Sequence, residues 1–75
     1  MSIQQSDIES ALERYCGLHE NAADSVDGVR RWWLANPALP RDVVQAALDA
    51  LVARGVLAAR RLPDGTQVYF ARARG

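Results

Sequence analysis

The chain has 75 residues, no formal net charge and 49% hydrophobic residues; this fits one small folded domain and excludes a disordered polar segment. A single cysteine excludes an internal disulfide and points to a reducing compartment. No apolar run approaches the roughly 20 residues of a membrane span. "MSIQQSDIES" has no basic stretch ahead of an apolar one, so no secretory signal is expected, and a cytoplasmic location is.

The first predicted helix spans about 6–16. "SDIE" reads as a capping box in which Ser6 accepts from the amide of Glu9 and Glu9 reaches back. Ile8, Ala11, Leu12, Tyr15 and Cys16 follow on one face, and Gly17 reads as the stop. "LHENAA" is a loop.

The second helix spans about 24–34, with Asp24 as its cap and Asp27 complementing its positive end. Val26, Val29 and Trp33 form its core stripe, and Trp32 falls about 100° further round, at the edge of the buried face. "NPALP" ends it, since a residue before proline avoids the helical region.

The third helix spans about 40–54, with Pro40 at or near its first position, where a missing amide costs nothing. Val43, Val44, Ala47, Leu48, Leu51 and Val52 make a broad apolar stripe, and Gly55 suits the left-handed turn after it. Strands at about 56–62 and 66–72 then flank "PDG", read as a type I turn with Gly65 in the left-handed region. In this register Leu62 opposes Thr66, Ala59 opposes Tyr69 and Ala58 opposes Phe70. Leu57, Ala59 and Tyr69 share one face of the hairpin; Val56, Ala58, Val68 and Phe70 share the other.

Three helices followed by a hairpin, joined by "ALDALVARGVLAARRLPDGTQVYF", resemble the winged helix-turn-helix family in its small, stand-alone bacterial form. The resemblance covers residues 6–72 and implies an α+β domain over 1–75: three helices and a C-terminal two-stranded β-hairpin, the wing. It implies that Leu48, Leu51 and Leu57 are core and that the third helix is the recognition helix. Two features depart from the usual pattern. Arg30 stands after Val29, where a small residue is typical, and the connection from Leu34 to Arg41 is longer than the usual tight turn.

Charge supports a polyanion partner on one side. Residues 1–38 carry a net −3 (Asp7, Glu9, Glu13, Glu20, Asp24, Asp27 against Arg14, Arg30, Arg31), and residues 39–75 a net +3 (Arg41, Arg54, Arg60, Arg61, Arg72, Arg74 against Asp42, Asp49, Asp64). All nine basic residues are arginine; with thirteen alanines, this matches a GC-rich bacterial genome. Arginine's planar fork suits phosphate, so Arg41, Arg54, Arg60, Arg61, Arg72 and Arg74, with Gln45 as a base reader, are the candidate contacts to double-stranded DNA. The same arginines could instead solubilise an exposed strand edge.

The outward face of the third helix carries Asp42, Gln45, Ala46, Asp49 and Ala53. Base edges offer mostly acceptors, so only Gln45 is a good reader and sequence readout should be weak. The competing reading is an adaptor or homodimer that binds protein through Trp32, Ala46, Ala50, Ala53 and Phe70, because exposed aromatics beside small residues suit a protein partner. Cys16 and His19 lack the further ligands a structural zinc needs. No nucleophile–base pair or phosphate loop emerges, so neither an enzyme, a cofactor, a metal nor a small-molecule substrate is expected.

Overall fold

The computed structural model describes residues 4–36 and 38–72. It is a mixed α+β arrangement of three helices and a three-stranded antiparallel sheet. Helix α1, Gln5–Leu18, is longer than its apolar stripe predicts. Its cap is Gln4, not Ser6: the Asp7 carboxylate accepts from the Gln4 amide at 3.3 Å, and Ser6 lies inside the first turn. Gly17 does not stop it; the helix runs to Leu18, and the His19 amide donates to the Tyr15 carbonyl at 2.9 Å. Ile8, Leu12 and Cys16 are buried, whereas Ala11 is exposed.

The segment after α1 departs most from expectation. Ala23–Asp24 is a strand, β1, so Asp24 is not the cap of the second helix. Ser25 takes that role, its hydroxyl accepting from the Gly28 amide at 3.3 Å. Two residues carry too little alternation to announce a strand; their partners on the last strand define them. Helix α2 opens with an α-helical turn, Val26–Gly28, and widens into a π-helical segment, Val29–Trp33, where the Leu34 amide reaches the Val29 carbonyl at 2.9 Å. Val26, Val29 and Trp33 are buried, and the Trp33 ring stacks on Tyr15 of α1 with centroids 5.0 Å apart.

Arg30 explains the long connection that follows. Its guanidinium donates to the Leu39 carbonyl at 3.0 Å and pairs with Asp27 at 2.8 Å, tying α2 to the loop ahead of the third helix. Leu39 is thereby seated in the core. Pro37, expected from sequence to break the helix, lies outside the described residues; the helix ends at Trp33 with Leu34 as its cap, and Ala35 follows in the left-handed region.

Helix α3, Arg41–Ala53, and the hairpin follow prediction closely, with Pro40 as the cap. Val44, Ala47, Leu48 and Leu51 are buried, and Val43 and Val52 pack half-buried beside them. Gly55 has φ +78°, and the Val56 and Gly55 amides bond to the carbonyls of Leu51 and Val52 at 3.0 and 3.1 Å. This left-handed cap turns the chain into the sheet.

Strands β2, Leu57–Arg61, and β3, Gln67–Ala71, pair in the predicted register, with Ala59 opposite Tyr69 and Ala58 opposite Phe70. The turn between them has Gly65 at φ +91°. The sheet order is β1-β3-β2, so β3 is central and β2 is an open edge. Leu57 and Tyr69 enter the core formed by the three helices. Ala59 shares their row but is exposed, since burial along β2 is confined to its Leu57 end. Val56 packs against the core rather than joining the outer face, while Ala58, Val68 and Phe70 remain half-buried there.

Candidate functional site

The candidate arginines divide into two groups. Arg54, at the C-terminal end of α3, is held by α1: its guanidinium lies 3.3 Å from a Glu9 carboxylate oxygen and 2.7 Å from one of Glu13. Glu9 and Glu13 are four apart on one helix face, which aims both carboxylates at the same cation. Arg54 is therefore a helix–helix tie, its guanidinium paired with both carboxylates while its side chain stays about half exposed. Arg41, Arg60, Arg61 and Arg72 are exposed, and none has a carboxylate partner among the described residues. Arg74 lies outside the described residues.

Gln45 is engaged rather than free. Its amide nitrogen donates to Asp49 Oδ1 at 3.0 Å and to the Tyr69 hydroxyl, and that hydroxyl donates to the same Asp49 oxygen at 3.3 Å. The three side chains close a triangle between α3 and the central strand. Tyr69 is only 1% exposed, so its ring is core while its hydroxyl reaches the polar margin. Burial pushes the phenol above its ordinary value; the Gln45 bond opposes this and the Asp49 charge adds to it. On sequence alone, Asp49 is an unexplained carboxylate on the reading face. The signal present in the chain is the four-residue spacing of Gln45 and Asp49, but their partner lies 20 residues beyond Asp49, on another element.

The strand pairing places Arg60 on the outer face of the sheet with Val68, and Arg61 on the inner face with Gln67. The outer face has an apolar centre: Phe70 lies between Ala23 of β1 and Ala58 of β2. Trp32 is 66% exposed at the π-helical turn. Ala46 and Ala53 are exposed along α3, and Ala50 is half-buried. These partner-surface candidates belong to three separate elements, and only Phe70 has small neighbours in register with it.

A cleft of about 650 Å³ opens between the end of α1 and the strand ends. Glu13, Cys16, Glu20, Asn21 and Arg72 line it, and Arg72 is the one candidate residue among them. The Cys16 thiol is pushed up, first by burial and then by Glu13, which opposes formation of a nucleophilic thiolate. Among the described residues, no group of three or more His, Cys, Asp or Glu side chains could hold a metal ion, and no helix is long and apolar enough to cross a membrane. A scan against protein-family models and a search of curated proteins found no match for the chain.

Proposed function

We propose that the chain is a small winged-helix domain that holds duplex DNA by its phosphates, with little reading of base sequence. The order helix, strand, helix, helix, strand, strand supports the winged-helix part, because β1 secures β3 and so anchors the hairpin beside α3. One observation carries the function: Arg41, Arg60, Arg61 and Arg72 are all exposed and lack carboxylate partners among the described residues. An exposed guanidinium is free to displace the counterions of a phosphate. Weak readout follows from the commitment of Gln45 to Tyr69 and Asp49.

Salt titration of binding to a mixed-sequence duplex tests this. The affinity of the parent should fall steeply with salt. Arg60→Gln with Arg61→Gln should weaken all duplexes alike and flatten the slope by up to about 0.9 for each phosphate no longer neutralised. A double variant that binds as the parent does removes the hairpin from the function.

A second reading is favoured by a separate observation: Trp32 is two-thirds exposed, and Phe70 lies half-buried between Ala23 and Ala58 on the outer face of the sheet. It makes the domain an adaptor or homodimer that uses these side chains. Sedimentation over a wide concentration range separates the homodimer, since self-association abolished by Trp32→Ser or Phe70→Ser would favour it.

A further inference from the structure

We propose that Gln45, Asp49 and Tyr69 are positioning residues, which hold the Arg41 end of α3 and the Arg60–Arg61 stretch of β2 in one fixed arrangement for a duplex backbone. The inference rests on the phosphate-binding reading above. Arg41, Gln45 and Asp49 lie at successive turns along one ridge of α3. Tyr69 is paired with Ala59, the neighbour of Arg60 in β2. The triangle thus joins the ridge that bears Arg41 to the strands that bear the other two arginines. Among the described residues, its two bonds to Tyr69 are the side-chain hydrogen bonds between α3 and the sheet.

Interlocking apolar side chains set the coarse crossing of two elements. Hydrogen bonds, which weaken steeply when misaligned, hold the fine angle. The Tyr69 hydroxyl accepts from Gln45 and donates to Asp49, so its position is set from two adjacent turns of one helix. This also accounts for an exposed carboxylate beside a surface that would meet phosphate. Asp49 sets the hydroxyl, and both of the bonds it accepts are made within the molecule.

Two charge-neutral substitutions test the proposal: Tyr69→Phe and Gln45→Met. Each is assayed for binding to a 20-base-pair mixed-sequence duplex across a salt series, with circular dichroism melting to establish folding. Both variants should fold, yet their salt slopes should flatten by up to about 0.9 per misplaced arginine, although no charge has been removed. Adding Arg60→Gln and Arg61→Gln to Tyr69→Phe should then flatten the slope less than it does in the parent, because those arginines already reach the phosphates less often. If Tyr69→Phe fails to fold, Gln45→Met, at a half-buried position, carries the test. A folded variant that keeps the parent's slope overturns the positioning role and leaves the phosphate reading standing. A parent that shows no salt-dependent duplex binding overturns both.

Discussion

Leu51 sits on the α3 stripe with no exposed surface, in the buried cluster to which every helix and the sheet contribute side chains. Leu51→Ala should destabilise the domain by roughly 2–5 kcal/mol, the range for a large-to-small change in a core. Urea unfolding measures this, and a loss below about 0.5 kcal/mol, the scale of a surface change, would mean that the stripe faces elsewhere. Tyr69 gives a second residue-level test. Its phenol titrates above the ordinary 10.0, so the folded state retains a proton that the unfolded chain releases first. Its contribution is fully present below pH 10 and is lost as pH rises through the raised value. Alkaline melting curves should show this loss, and Tyr69→Phe should reduce it. The remainder includes Cys16, whose thiol burial also pushes up. At the hairpin tip, the Thr66 amide bonded to the Asp64 carboxylate lowers the titration of that acid, so the contribution of Asp64 is lost only as pH falls through its depressed value.

Of the two edge strands, β2 is the longer. It lies at the edge of the sheet, and its outward backbone groups could template another strand. Arg60 and Arg61 guard the half nearest the turn, whereas Ala58 and Ala59 leave the other half bare. Replacing both arginines with valine should therefore raise self-association, which light scattering would detect as growth in mean size over days at high protein concentration. Unchanged monodispersity would assign edge protection to some other feature. Gly55 controls how α3 enters this strand. Its φ of +78° suits glycine, so Gly55→Ala should cost about 1 kcal/mol, the penalty for an L side chain in a left-handed turn.

Across the whole molecule, zero net charge conceals a division of labour. Acids of α1 hold Arg54, and Asp27 holds Arg30, while the arginines of the hairpin stay exposed. Specific DNA recognition needs roughly 4–10 kcal/mol beyond non-specific binding, and one good base contact supplies about 1–3 kcal/mol. Gln45, already bonded within the molecule, cannot close that gap. Selection from a random duplex pool with the isolated protein should therefore return no sharp consensus. A consensus that disappears with Gln45→Ala would instead make α3 a reading helix.

The third helix and the hairpin are legible from the chain alone because their signals are local. The apolar stripe from Val43 to Val52, the left-handed Gly55 and the "PDG" turn act within a few residues, and the strand register follows from the turn. The burial of Leu48 and Leu51 follows from the same stripe, whereas strand alternation offers either face of the hairpin and only packing buries Leu57. The tertiary structure decided what depends on distant partners. Ala23–Asp24 is a strand because Phe70 and Tyr69 pair with it, and Asp24 consequently gives the helix cap to Ser25. Arg54 is paired, although it stays exposed, because α1 brings two carboxylates to it, those of Glu9 and Glu13, from the other end of the chain. Asp49 and Gln45 look outward on a helical projection, yet both meet Tyr69 across the joint with the sheet. Helical periodicity assigns a face; only packing determines what stands opposite that face.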